Sequence, residues 1–171
     1  MGIIHAKGLI DQSNISKHFK LKEFKISDSY PNLIKNHSFT ELQLYKILTL
    51  TKILEPIREE FQIPIRINSA FRTPELNKKV SGSLRSQHLL CEACDFNFFN
   101  EYKNKIVLSQ VYSFILDNLD SNYLKIILYY NKNNHTQFIH VSIPSLDGIH
   151  IRKILVNNYD KNGKRYFENY L

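Results

Sequence analysis

A chain of 171 residues with 43% hydrophobic content is long enough to bury a core, which excludes a disordered chain and favours one domain. Its formal net charge of +7 comes from lysines and arginines spread along the sequence, so the charge favours polyanions only weakly. No familiar nucleic-acid-binding signature accompanies that charge, and we therefore expect no nucleic acid partner.

The N-terminus predicts where the chain is made. No window approaches the roughly 20 apolar residues of a membrane span. The first residues also lack the basic start and continuous apolar run of a secretory signal. We therefore expect a chain made in the cytoplasm with no membrane span, which would reach a cell wall only after lysis or delivery.

The first half of the chain predicts one long helix and one strand. Residues 1–37 have the mixed composition of an extended entry segment. A capping box in the Ser-Phe-Thr-Glu run at 38–41 predicts the start of a helix over 40–61, with Pro56 as a kink. Residues 65–69 then read as a strand, and 71–90 as a polar loop.

The second half predicts most of a sheet. Residues 93–99 read as a strand and 103–117 as an amphipathic helix. The apolar runs 123–130 and 137–143 flank a turn-rich segment and predict an antiparallel hairpin. These elements indicate an α+β fold, with two main helices on a small, mainly antiparallel sheet. Beyond residue 144 the signals are weak, apart from a turn at 160–163.

Two histidines and one aspartate have the chemistry of a zinc site. His88 precedes the 93–99 strand, Asp95 lies within it, and His140 lies on a later strand between apolar neighbours. Zinc accepts imidazole and carboxylate ligands, and a catalytic site keeps three protein ligands and one open position. Taken singly, each histidine is more often a surface or hydrogen-bonded residue than a ligand. The residue types alone therefore leave both interpretations open.

Several separated blocks support the zinc interpretation because they occur together in one order. They are Phe19-Lys20-Leu21-Lys22-Glu23-Phe24 with Ser27, Leu54-Glu55-Pro56-Ile57-Arg58, Asn68 through Asn77, Gly82-Ser83, Ser86-Gln87-His88, Ala93 with Asp95, and Phe138-Ile139-His140-Val141-Ser142. In this order they resemble the M15 family of zinc D-Ala-D-Ala carboxypeptidases, and specifically its short branch from phages and bacteria. The resemblance extends from about Phe19 to Ser142.

The resemblance implies a zinc D,D-peptidase fold over residues 19–143, with extensions at 1–18 and 144–171. It implies that His88, Asp95 and His140 bind zinc, and that Arg72 binds substrate and stabilises the negative charge developing on the attacked carbonyl. A guanidinium beside a metal suits an oxyanion or a carboxylate, which agrees with that role. The residues before the first ligand, Ser86-Gln87, would support the ligands from behind. The implied substrates are peptidoglycan stem peptides.

Three departures from the family pattern bear on catalysis. The family normally has Gly where Cys91 stands and usually Trp where Phe138 stands, and both changes are tolerable if the loop after His88 does not need a positive φ at Cys91. Several branches place a carboxylate three residues before the last histidine ligand, but this chain has Gln137, which cannot take a proton. Another branch places a histidine five residues before it, and His135 stands there, so we predict that His135 serves as the acid/base or stabilises the transition state. The alternative is an exposed histidine, since His135 follows Asn133-Asn134 in an expected turn. Cys91 and Cys94 form one C-x-x-C without the second pair of a zinc knuckle.

Two functions follow from this pattern. The first is an active zinc peptidase or amidase that cuts peptidoglycan stem peptides at the cell wall. The second is a structural virion or tail component on the same fold, assembled with other virion proteins, in which catalysis is weakened or lost. The amide of Gln137, the thiol of Cys91 and the Lys-, Asn- and Ile-rich composition favour the second.

Overall fold

A computed structural model describes residues 14–99, 108–119, 124–130, 136–145 and 153–169. The described part of the chain is α+β, with three α-helices and one six-stranded sheet. The helices are α1 (Glu41–Phe61), α2 (Pro74–Lys79) and α3 (Leu108–Asn118), and the strands are β1 (Ile65–Ser69), β2 (Ala93–Phe98), β3 (Lys125–Tyr130), β4 (Thr136–Ser142), β5 (Lys153–Tyr159) and β6 (Arg165–Asn169). Among these residues no helix is long and apolar enough to cross a membrane.

The sheet is mixed, which corrects the expectation of a mainly antiparallel one. Its strand order is β1-β2-β4-β3-β5-β6. The pairs β1–β2, β2–β4, β3–β4 and β5–β6 are antiparallel, whereas β3 and β5 run parallel. The parallel pair arises because the chain leaves β4 and returns beside β3 in the same direction. Local hydrophobic alternation does not reveal such a return, since it reports a strand but not its partner.

The strands and helices expected around the candidate site are confirmed where the structure describes them, and residues 103–107 of the helix expected over 103–117 lie outside the described residues. The predicted hairpin is β3–β4, and β1, β2 and β4 lie where the apolar runs placed them. Pro56 lies inside α1 and does not end it. The start of α1 is corrected, because Thr40 is its N-cap and accepts a hydrogen bond from the Gln43 backbone, while the Gln43 side chain completes the capping box.

Two segments expected to lack regular structure are ordered. Residues 71–90 contain α2, which begins at the N-cap Thr73 with Pro74 in its first turn, and a 3-10 helix at Gln87–Leu90. The C-terminal segment forms the β5–β6 hairpin around the expected turn, where Gly163 has φ 74° and donates to the Asp160 carbonyl. The proposed domain limits stay a prediction, although residues 153–169 belong to the same sheet as the rest.

One face of the sheet is covered and the other carries polar groups. Side chains on the covered face, among them Cys94, Phe96, Ile139 and Val141, are buried in one hydrophobic core with α1 and α3. Because successive side chains alternate, the intervening residues of β2 and β4 point to the opposite face. That face carries the candidate site.

The β5–β6 hairpin is fastened to β3 by one buried side chain. Asn157 is fully buried, and its Nδ2 donates to the Tyr130 carbonyl at 3.1 Å while its Oδ1 accepts from the Tyr130 backbone N–H. The last pair of the β3–β5 ladder is Leu128–Val156, so the Asn157 contacts extend the junction beyond the ladder.

We expect Asn157→Ala to lower the free energy of unfolding by about 1–3 kcal/mol, because it removes two hydrogen bonds at a buried site. Urea unfolding followed by circular dichroism measures the change. Asn158→Ala is the matched control, since Asn158 is adjacent on β5 and, among the described residues, its side chain bonds only the exposed Glu168. Its cost should stay within about 0.5 kcal/mol. Equal losses in the two variants would contradict the account of the junction.

Candidate metal centre

Three side chains from separate elements meet on the polar face of the sheet. His88 comes from the 3-10 helix Gln87–Leu90, Asp95 from β2 and His140 from β4. Asp95 and His140 are directly paired across the antiparallel β2–β4 ladder, so their side chains share a face. One ligand atom from each of the three lies within 4.8 Å of the others, and all three residues are buried. The structure therefore brings together the three residues expected as ligands.

The first histidine is oriented by the backbone behind it. His88 Nδ1 lies 2.6 Å from the Ala70 carbonyl, which can only accept, so Nδ1 donates this hydrogen bond. The other ring nitrogen, Nε2, lies 3.3 Å from Asp95 Oδ2. Histidine ligands of metals characteristically make this backbone contact, because it fixes both tautomer and ring direction.

The carboxylate is held in its ionised form by its neighbours. Burial by itself would raise the pKa of Asp95, but the imidazoles of His88 and His140 outweigh it and hold that pKa well below its usual range. Burial also lowers the pKa of His140, although the 2.7 Å contact between its Nδ1 and Asp95 Oδ1 opposes the shift. An ionised carboxylate beside a neutral imidazole is the protonation state that metal binding requires.

One buried atom of the centre lacks a partner. Among the described residues, His140 Nε2 has no hydrogen-bond partner although it is buried. Buried polar atoms are normally satisfied, so an orphaned ring nitrogen beside a carboxylate and a second imidazole calls for a ligand. Two imidazoles and one carboxylate are a donor set that suits zinc. The residues present therefore fit a zinc ion.

Arg72 is fixed against the same carboxylate. Its Nε donates to Ser69 Oγ at 2.9 Å and its Nη2 donates to Asp95 Oδ2 at 3.0 Å. The Arg72 backbone N–H donates to the His88 carbonyl, which ties the segment before α2 to the 3-10 helix. The guanidinium expected to contact substrate is thus adjacent to the three candidate ligands.

Of the two residues before His88, Gln87 makes supporting contacts through its side chain. Gln87 Nε2 donates to the Ile143 carbonyl and its Oε1 accepts from Ser142 Oγ, both at 2.8 Å. These bonds attach the 3-10 helix to the end of β4 and set the distance between His88 and His140. Ser86 is the N-cap of that helix, but its side chain makes no capping hydrogen bond.

Cys91 has a positive φ, so the condition under which a cysteine could replace the glycine of the family without strain is not met. Cys91 ends the 3-10 helix in the left-handed conformation, with φ 58° and ψ 27°. That conformation costs a non-glycine residue roughly 1–2 kcal/mol, which accounts for the glycine normally found there. Both Cys91 and Cys94 are free and buried, and burial raises the pKa of Cys91 to about 12.

The two residues expected to decide proton transfer are placed differently. Gln137 is exposed and lies where β3 and β4 lose their regular register, between the pairs Tyr129–Phe138 and Tyr130–Thr136. Its backbone carbonyl accepts a hydrogen bond from Asn97 Nδ2 at 3.1 Å. His135 lies outside the described residues, so its acid/base role stays a prediction.

Two further residues on the site face were missed by the sequence analysis. Lys125 is paired with Ser142 across β3–β4, and burial and then the charge of Lys153 lower its pKa. Burial raises the pKa of Tyr129 to about 12, and the charge of Asp95 adds to that shift, so the phenol stays neutral beside the centre. Because side chains two residues apart on a strand share a face, Lys125 and Tyr129 lie on the same face as Ile127, the partner of His140. The sequence could not show this, since it does not reveal how the strands pair.

A second group of possible ligands lies away from this centre. His18, Glu55 and Glu59 have ligand atoms within 4.8 Å of one another, but the group is largely exposed. His18 Nδ1 contacts Glu55 Oε2 at 2.6 Å, and Lys17 Nζ contacts Glu59 Oε1 at 2.7 Å. These carboxylates already have cationic or hydrogen-bonding partners, so we assign the group no metal.

Comparison with models of protein families gives a match that covers the candidate site. Residues 17–142, more than half of the chain, match the protein-family model described as peptidase M15. The matched segment includes all three candidate ligands and Arg72. Comparison with curated proteins finds no match.

We expect the purified protein to bind one zinc ion per chain and His140→Ala to weaken zinc binding by at least about tenfold, since losing a ligand costs no less than losing a supporting contact. Metal analysis after dialysis against buffered zinc measures the stoichiometry. His18→Ala is the matched control, because it removes a histidine from the second group and should keep the zinc. Loss of zinc in His18→Ala with retention in His140→Ala would refute the assignment.

Proposed function

The chain belongs to the peptidase M15 family, and from that premise we propose that it is a zinc-dependent peptidase acting on peptidoglycan stem peptides, built on the zinc D,D-peptidase fold. The observation that carries the proposal is the buried His88–Asp95–His140 group with Arg72 fixed against its carboxylate. The family supports a peptide substrate, and the donor set supports zinc. The wall peptide as the substrate rests on the resemblance of the sequence blocks.

Zinc and Arg72 would make two separate electrostatic contributions to the reaction. Zinc bound at this centre would supply Lewis-acid activation of water and of the scissile carbonyl. Among the described residues, the hydrogen bonds of the Arg72 side chain use Nε and Nη2, which leaves Nη1 to donate to a substrate oxygen. A guanidinium that is already positioned where negative charge develops on the substrate lowers the barrier, because it need not reorganise during the reaction.

Proton transfer is the step for which the chain departs from its family. Peptide hydrolysis needs a group that takes a proton from water and returns one to the leaving amine. The amide of Gln137 cannot do this, and Tyr129 is held neutral by burial. We assign the transfer to His135, because the ordinary pKa of a histidine side chain suits the task.

A structural role is the second candidate, and one observation favours it. The position three residues before His140 is an exposed amide rather than a carboxylate. A virion or tail component could keep the fold and the metal while losing the rate enhancement of a catalytic base. Such a protein would assemble with other virion proteins and need not turn over peptides.

Arg72→Gln is expected to lower kcat by about 10²–10³, because it removes a charged donor aimed at the developing oxyanion. Release of peptides from purified sacculi with added zinc measures the rate, and zinc content is determined on the same samples. Arg85→Gln is the control, since Arg85 is an exposed arginine of the neighbouring loop and should leave kcat unchanged. Equal kcat in the Arg72 variant and the wild type, with zinc retained, would exclude the proposed role.

His135→Ala is expected to lower turnover by about 10²–10⁴ while leaving the zinc content unchanged. The comparison with Gln137→Glu separates the two candidate functions on the same sacculi. Strong wild-type activity that His135→Ala does not affect would overturn the assignment of the proton carrier. Activity that appears only in Gln137→Glu would identify the natural protein as a degenerate enzyme and favour the structural role.

A further inference from the structure

The sheet face that carries the metal centre continues toward β6. His140 is paired with Ile127, and two residues further along the same strands Phe138 is paired with Tyr129. Since side chains two residues apart share a face, Phe138 and Tyr129 lie on the face of the metal centre, one step away from it. The residues of β6 that join them come from the C-terminal hairpin.

Three aromatic rings form a continuous wall on this face. The rings of Tyr129 and Phe138 stack with centroids 4.4 Å apart and an interplanar angle of 19°. Phe167 of β6 meets Tyr129 edge-on at 6.0 Å and 84°. Phe167 is nevertheless 48% exposed, so the wall formed by these three residues borders solvent.

A guanidinium is held on this wall. Arg165 Cζ lies 5.7 Å from the centroid of the Tyr129 ring and 5.7 Å from that of Tyr159, and its Nη2 donates to the Tyr159 hydroxyl at 3.2 Å. Within the described ranges no carboxylate forms an ion pair with Arg165. The acidic residue of β6, Glu168, alternates to the other face and accepts a hydrogen bond from Asn158. A planar cation fixed on aromatic rings, with donors left over, is a receptor for a carboxylate.

The C-terminal hairpin that carries part of the wall is bonded directly to β3, a strand of the face that holds the metal centre. β5 pairs in parallel with β3, and buried Asn157 bonds the Tyr130 backbone next to Tyr129. The hairpin lies beyond residue 142, where the family match ends. This part of the face is therefore supplied by the chain's own C-terminal segment.

The spacing fits a peptide that reaches both places. Ile127 is paired with His140 on one side and with Leu155 on the other, so Leu155 marks the position of His140 along β5. Tyr159, the partner of Arg165, lies four residues further along β5. At about 3.3 Å per residue this is roughly 13 Å, and the Arg165 side chain leans back over Tyr129. An extended peptide covers such a distance in about three or four residues.

We propose that Arg165 and the aromatic wall form a subsite for a carboxylate that the peptide substrate carries a few residues from the bond to be cut. The proposal rests on the proposed peptidase function, since it concerns the substrate of that same site. Charge complementarity selects the ligand group, and the aromatic rings contribute apolar contact with the peptide beside it.

The test compares two peptides that differ in one group. The peptide L-alanyl-γ-D-glutamyl-L-lysyl-D-alanyl-D-alanine is prepared with the α-carboxylate of its glutamyl residue free or converted to the primary amide. Binding is measured by titration calorimetry with chelator present, so that cleavage does not consume the ligand. Arg165→Gln should weaken binding of the acid peptide by about tenfold and leave the amide peptide unaffected. Lys164→Gln is the control, because it removes the same charge from the adjacent exposed residue and should change neither affinity.

Three results would overturn the subsite: unchanged affinity of Arg165→Gln for the acid peptide, equal weakening by Arg165→Gln and Lys164→Gln, or no binding of either peptide to the wild type. Cleavage of the acid peptide by the zinc-loaded wild type is measured separately. Arg165-dependent binding without cleavage would contradict the peptidase and leave the subsite standing. Cleavage without Arg165-dependent binding would contradict the subsite and leave the peptidase standing.

Discussion

The Asp95 carboxylate connects the groups on which the proposed chemistry depends. Its Oδ1 contacts His140 and its Oδ2 contacts both His88 and Arg72, so two candidate ligands and the candidate substrate-binding cation share one anion. Burial would favour the protonated acid, and the neighbouring imidazoles reverse that preference. A neutral residue at this position would leave the partly buried guanidinium of Arg72 without its counter-charge, a costly arrangement in a low-dielectric site.

The fold brings these groups together through pairing rather than through local sequence. The β2–β4 ladder sets Asp95 opposite His140, and Gln87 fastens the helix of His88 to the end of β4. Ala70 and Ser69, at the end of β1, hold His88 and Arg72 in turn. The left-handed conformation of Cys91 lets the chain turn from the 3-10 helix into β2 within two residues, and the strain of that turn is a local cost of placing His88 beside Asp95.

The sequence was sufficient for the elements whose signals are local. Helical spacing predicted α1, and two apolar runs around a polar turn predicted the β3–β4 hairpin. Residue types alone did not settle the ligands, because His140 lies 45 residues from Asp95, and the family resemblance was needed to connect them. The parallel β3–β5 pair was not predictable in this way, since Lys153–Tyr159 finds its partner across a long connection. Tyr129 and Arg165 became candidates only once the pairing showed which face they share with the metal centre.

The position of the metal itself distinguishes this centre from any other zinc site on the chain. Crystals of the zinc-loaded protein, with diffraction data recorded on both sides of the zinc absorption edge, would locate the ion by its anomalous signal alone. We expect one strong anomalous peak enclosed by His88, Asp95 and His140, with Arg72 next to it. A peak at His18, Glu55 and Glu59 instead, or fully zinc-loaded crystals in which the three residues enclose no peak, would refute the assignment of the zinc site.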